Sequence, residues 1–198
     1  SNETTTGTIT GTETWAGVHT LTGDVTIAPG AKLIINPGAT IEFPNGTHLD
    51  VRGSLCAGVS SCGASSNAGP AMQSTLRWSE PTNSRAIGEC YGMSSGNQEI
   101  WIDDPSCSEG VLMRSSIDLS ETGLRYVTFD SAWGIPQYVS AVGEFRYGAL
   151  VLDGASPTLT ELSFNQINTS SVLTTNLAQP TFNGGEFVVG ADASTSIV

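Results

Sequence analysis

The sequence predicts an all-β fold in which short parallel strands are wound into a coil. Three observations carry that prediction: a composition of strand and turn residues, apolar pairs recurring every eight residues, and a second set of repeats about one coil apart later in the chain. The 198 residues include 23 Gly and 9 Pro with abundant Thr and Ser, and no long Ala/Leu/Glu/Lys stretch is present to nucleate a helix. Hydrophobic residues make up 38% and charged residues 13%, which suits one compact domain with a real core.

The first strands lie between Val25 and Val51. Apolar residues fall there in pairs, Val25/Ile27, Leu33/Ile35, Ile41/Phe43 and Leu49/Val51. The period of two within each pair marks a strand with one buried face. Pro29-Gly30, Pro37-Gly38 and Asn45-Gly46 stand between the pairs, and such dipeptides turn the chain after three or four residues. At an apolar frequency of 0.38, filling eight chosen positions by chance has a probability of about 4 in 10,000. Strands this short do not suit a meander of hairpins, which calls for longer strands and primed turns throughout. Three strands and three bends per coil give a 24-residue repeat that stacks Val25/Ile27 beneath Leu49/Val51, about 4.8 Å apart.

The second half supports the same coil length. Ser156-Pro157-Thr158-Leu159 returns as Gln179-Pro180-Thr181-Phe182, and Phe164 as Phe187. Leu124-x-x-Val127-x-Phe129 returns as Leu159-x-x-Leu162-x-Phe164, one coil plus an inserted loop around Trp133 to Tyr147. The expected layout is a cap or linker over 1–17, then a solenoid over 18–198 of about five or six coils, with insertions at 56–110 and 131–148. Thr4-Thr5-Thr6-Gly7-Thr8 falls in the cap, because the threonines cluster there instead of repeating at coil spacing.

These repeats resemble the right-handed parallel β-helix proteins of the pectin-lyase-like superfold. The resemblance rests on the segment Gly23 to Phe43, on Gly123-Leu124-Arg125-Tyr126-Val127-Thr128-Phe129 and on Ala155-Ser156-Pro157-Thr158-Leu159. It implies a secreted or surface-exposed solenoid, within a superfold that carries lyases, hydrolases, adhesins and inert stalks. Ile100-Trp101-Ile102-Asp103 is similar to a pectate lyase strand motif in which an aspartate precedes a histidine. Here Asp104 stands at the histidine position, and no Arg-x-Pro-x-x-Arg segment supplies the arginine base of that family.

Charge narrows the partners. Lys+Arg total 7 against Asp+Glu 19, a net charge of −12, so nucleic acid and anionic lipid surfaces are repelled. No apolar run reaches membrane-spanning length, and no membrane insertion is expected. Cys56, Cys62, Cys90 and Cys107 lack zinc-site spacing, and His19 and His48 stand apart from them; disulfides in an oxidising compartment are expected. Of the three pairings open to four cysteines, local pairing of Cys56 with Cys62 and Cys90 with Cys107 is preferred. The expected setting is extracellular or cell-surface, with a leader removed ahead of Ser1 and with the module forming part of a longer multidomain chain. Sequons at Asn45-Gly46-Thr47 and Asn168-Thr169-Ser170 agree.

Chemistry on a solenoid sits on its loops and outer faces, because side chains fill the interior. In the insertions Trp101, Trp133, Tyr138, Arg146 and Tyr147 offer stacking and polar contacts for a polysaccharide or cell-surface glycan. The competing role for these rings is to pin long loops to the wall. Asp103, Asp104 and Glu109 supply oxygens suited to calcium, the one cofactor considered. Asp130 and Asp153 follow expected strands and on that ground alone are candidates for the paired carboxylates of a glycosidase, the competing role being a solvated acidic surface. No Gly-x-Ser-x-Gly, Walker loop or His-Glu-x-x-His occurs. The expectation is a non-catalytic binding, adhesion or spacer module, with a calcium-dependent polysaccharide lyase or glycoside hydrolase as the alternative. With one lysine, Lys32, and many acids, the chain repels itself at low ionic strength; its melting temperature is expected to rise from low to moderate salt, and a fall over that range would contradict this reading.

Overall fold

A computed structural model describes residues 3–63, 69–79, 91–93, 99–101, 108–139, 143–167 and 169–186. The first coil consists of β1 (Gly7–Ile9), β2 (Thr12–Trp15) and β3 (Val18–Thr20), the second of β4 (Val25–Ile27), β5 (Lys32–Ile35) and β6 (Thr40–Phe43). The third holds β7 (His48–Val51), β8 (Ser54–Ala57) and β9 (Ser74–Trp78). A short antiparallel pair, β10 (Tyr91–Met93) and β11 (Glu99–Trp101), precedes the fourth coil of β12 (Gly110–Arg114), β13 (Gly123–Arg125) and β14 (Val127–Asp130). After β15 (Ile135–Val139) come β16 (Glu144–Asp153), β17 (Thr158–Thr160) and β18 (Ser163–Asn165), then β19 (Ser170–Thr175) and β20 (Thr181–Asn183).

Equivalent strands of successive coils pair in parallel, giving three sheets: β1-β4-β7-β12-β16-β19, β2-β5-β8-β13-β17-β20 and β3-β6-β9-β14-β18. The chain is a parallel β-helix. Val25 stacks on Leu49 and Ile27 on Val51, as the 24-residue spacing requires. Leu124 stacks on Leu159, Phe129 on Phe164 and Leu159 on Phe182, as those repeats require; Phe187 lies outside the described residues. Gly30, Gly38 and Gly46 all adopt positive φ, the left-handed geometry those turns need.

Two expected boundaries shift. Residues 7–15 build two walls of the first coil, so only the residues ahead of Gly7 lie over its end. Within the expected 56–110 insertion, Ser74–Trp78 is a wall strand paired with β6 and β14. Its alternation in Ser74-Thr75-Leu76-Arg77-Trp78 buries Ser74, Leu76 and Trp78, and Trp78 is therefore a core residue.

Along the inside of the third sheet, aromatic rings stack from coil to coil. Ring centroids are 4.3 Å apart for Phe43 and Trp78, 6.3 Å for Trp78 and Phe129, and 4.9 Å for Phe129 and Phe164. The Trp78 indole Nε1 donates to the Thr47 carbonyl at 2.8 Å, which removes the cost of burying its polar end. At the N-terminal end Trp15 stacks on His19 at 4.3 Å. Glu13, in register with inward-facing Leu33, accepts bonds from the Thr4 amide and hydroxyl and from the Trp15 indole. Burial raises the Glu13 pKa, but these bonds and the nearby His19 outweigh it and hold the carboxyl below its usual range.

Gly58 shows how tightly coils approach. Its φ is +77°, and a Cβ there would lie 1.7 Å from the Arg125 carbonyl oxygen of the next coil, so no larger residue fits without moving backbone. Phe129 is fully buried between Trp78 and Phe164. Phe129→Ala is expected to cost about 3–5 kcal/mol of unfolding free energy in urea titration; a loss under about 1 kcal/mol would contradict a packed aromatic interior.

Candidate functional site

The three outer faces differ in what covers them. On the first sheet the outward row runs Thr8, Thr26, Asp50, Leu112, Val151, Leu173. Its apolar half is buried with Ile135 as a small second core. On the second sheet, Cys56 of the outward row is joined to Cys62 by a disulfide, and Lys32 Nζ pairs with Glu121 at 2.7 Å. The second sheet is open only at its ends, where Thr14, Thr158 and Thr181 are exposed, whereas among the described residues the third sheet is open along its length.

That face carries two rows at coil spacing. One row is Val18, Thr40, Thr75, Thr128, Ser163, and the other is Thr20, Glu42, Arg77, Asp130, Asn165. Strand alternation places both rows outward, because Ile41, Leu76, Phe129 and Phe164 between them point into the core. The threonines therefore do repeat at coil spacing here, although insertions hide that spacing in the linear sequence. Thr20 Oγ1 donates to Glu42 Oε2 at 2.8 Å. Arg77 Nε donates to Asp130 Oδ2 at 3.2 Å, and Asp130 Oδ1 accepts from Asn165 Nδ2 and Ser131 Oγ, each at 3.1 Å. Beside Glu42 and Arg77 lies a groove of about 240 Å³, lined also by Thr20, Leu21, Phe43, Pro44 and Ser79.

A second charged row lies at the end of the first sheet. Asp50, whose side chain is 7% exposed, accepts from Arg52 at 2.9 and 3.1 Å and from Arg114 at 3.1 and 3.4 Å. Arg114 Nη1 lies 3.7 Å from Asp153 Oδ2, and Thr175 and Asn176 donate to Asp153 Oδ1. Burial raises the Asp50 pKa, yet the two guanidinium groups outweigh it and hold the carboxyl below its usual range.

The residues expected from sequence are dispersed. Trp133 is half-buried, and Tyr138 is 59% exposed on β15. In the β15–β16 hairpin Pro136 opposes Tyr147, Gln137 opposes Arg146 and Tyr138 opposes Phe145. Alternation thus puts Tyr138 and Tyr147 on one side and Arg146 on the other with Ile135. An aliphatic residue, Ile135, pins this loop to the wall, which is the role weighed above for the rings. Glu109 is 2% exposed and its Oε2 accepts the Gly46 amide at 3.0 Å. Trp101 contributes backbone pairing to Tyr91; Asp103, Asp104, Cys90 and Cys107 lie outside the described residues. No group of three or more His, Cys, Asp or Glu side chains arranged to hold a metal occurs among the described residues. Asp130 and Asp153, the expected hydrolase candidates, both sit in the ion-pair rows just described. Sequence reading missed Glu42 and Arg77; their signal is an outward position in strands whose inward neighbours align across an insertion.

In comparisons with known proteins, no family model, no curated protein and no solved structure matches this chain.

The Asp50 carboxylate contributes stability above its unfolded pKa, and that contribution is lost as pH falls through its lower folded value. Asp50→Asn leaves Arg52 without a carboxylate and Arg114 with Asp153 alone. It is expected to cost about 2 kcal/mol at neutral pH, discounted for the exposure of both arginines, and to flatten the acid limb of the stability curve below about pH 4. An unchanged acid limb in urea titrations would remove Asp50 as its source.

Proposed function

We propose that the chain is a non-catalytic module of the pectin-lyase-like β-helix kind, extracellular or surface-exposed within a longer multidomain protein, and that it binds glycan on its third sheet. The supporting observation is the uncovered double row on that sheet, which presents hydroxyls, carboxylates, an amide and a guanidinium at coil spacing. Such a row matches a polymer of hydroxyl-bearing units better than one compact ligand. The exposed Tyr138 supplies an apolar stacking surface on the neighbouring hairpin. The Cys56–Cys62 disulfide fits an oxidising compartment.

A polysaccharide-degrading enzyme is the second reading, because Glu42 and Asp130 flank Arg77 in one open row. Two coil steps separate them by about 9.6 Å, at the wide limit for paired carboxylates in inverting hydrolases. Against it, Arg77, Asn165 and Ser131 occupy both Asp130 oxygens, and Thr175 and Asn176 engage Asp153 beside Arg114. Oxygens already committed to these donors are not free to reach a glycosidic oxygen or an attacking water.

The test combines a glycan-array screen with turnover assays on pectic, alginate and neutral polysaccharides, with and without calcium. Binding without unsaturated or reducing-end product is expected. Turnover would move the assignment to the enzyme reading, and neither binding nor turnover would leave a spacer.

A further inference from the structure

We infer that the groove beside Glu42 and Arg77 is a subsite for one neutral sugar ring, held through a pair of adjacent hydroxyls. This rests on the glycan-binding reading and gives it a place and a ligand chemistry. Glu42 and Arg77 are register partners on neighbouring strands, yet each is drawn away from the other. The Glu42 carboxylate turns to the Thr20 hydroxyl of the preceding coil, and the Arg77 guanidinium turns to Asp130 of the following coil. The groove of about 240 Å³ lies beside them, with Pro44 and Ser79 also in its lining.

The hydrogen-bond inventory of this groove is unbalanced in an informative way. Arg77 spends its Nε–H on Asp130, and its side chain is 52% exposed. Among the described residues no acceptor meets its two Nη groups. Glu42 spends one oxygen on Thr20, and no described donor meets the other. The Ser79 hydroxyl is committed to the Phe43 carbonyl. The groove is therefore bordered by a carboxylate with an acceptor to spare and a guanidinium with donors to spare, over apolar surface from Leu21, Phe43 and Pro44. A ligand matching both must donate and accept from adjacent atoms, as two neighbouring hydroxyls on one ring do.

Size and charge narrow the class further. Sites for drug-sized ligands span about 300–1,000 Å³, so this groove takes one ring and leaves the rest of a glycan on the open face. With a net charge of −12 and two carboxylates beside one guanidinium, a uronate or sulfated unit meets repulsion that a neutral unit does not.

The experiment is an amide-resolved NMR titration of the full chain with neutral oligosaccharides and, separately, with oligogalacturonate. Neutral sugars are expected to shift the Thr20, Leu21, Glu42 and Arg77 amides, and oligogalacturonate to leave them in place. Arg77→Gln and Glu42→Gln are each expected to weaken neutral-sugar binding about tenfold, the loss of one charge-assisted hydrogen bond. Melting curves of both variants should stay close to the parent, since exposed ion pairs add little stability. Binding that moves only hairpin amides, or that both variants retain, would overturn the subsite while leaving the glycan reading intact. No binding to any glycan would overturn both, and a preference for oligogalacturonate at the groove would overturn its neutral-sugar chemistry.

Discussion

Everything in this molecule depends on parallel stacking in register. Each coil is too short to bury anything alone: three short strands, of three to six residues apart from the ten of β16, close a triangle whose inward side chains meet only across its middle. Stability comes from the next coil, which pairs the backbone edges and covers the apolar pairs from above and below. Registry along the axis then converts a one-dimensional pattern in the sequence into columns, such as Val25–Leu49–Val111–Leu150–Val172 inside the first sheet. The aromatic column of Phe43, Trp78, Phe129 and Phe164 is the bulkiest product of that rule.

The same registry arranges the outside. A residue that faces outward in one coil has its counterparts directly above and below, so charges form rows and not scattered pairs. In a chain with 19 acids and 7 bases, the placement of the arginines matters. Arg52 and Arg114 flank Asp50, and Arg77 holds Asp130. The rows relieve local repulsion where carboxylates are crowded, and they leave Glu42 with only a hydroxyl partner. Insertions break the registry without ending it: the chain leaves the wall after β8, after β9 and after β14, and each time resumes on the next sheet of the coil. The hairpin that follows β14 folds back so that Ile135 covers Leu112, Val151 and Leu173.

Where coils follow without interruption, the fold was legible in the sequence. The pairs from Val25 to Val51 name the three walls and the coil length, and the Pro-Gly and Asn-Gly steps mark the corners. Residues 124–129 and 159–164 repeat that information across an insertion, because the wall residues kept their spacing. Trp78 was hidden inside the stretch 56–110 expected as an insertion, and its wall position shows only when the alternation of Leu76 and Trp78 is aligned with Ile41 and Phe43. The threonine row on the third sheet was hidden for a related reason: Thr40, Thr75 and Thr128 are separated by unequal insertions, and only the folded register makes them neighbours. The outward face of a strand carries no apolar period, so Glu42 and Arg77 gave no local signal. Glu109 was read as a metal ligand, where its buried carboxylate accepts a turn amide.

The parallel, in-register column underlies both the core and the outer rows. Its most direct test is a set of interstrand nuclear Overhauser contacts across the third sheet. A parallel stack predicts that Leu76 shows backbone contacts to Ile41 on one side and to Phe129 on the other, with the same stagger along every strand. Close pairs of α-protons between those strands, the mark of an antiparallel sheet, would contradict it, as would a contact pattern centred on Thr40 or Thr128 in place of Ile41 and Phe129, a register slipped by one residue.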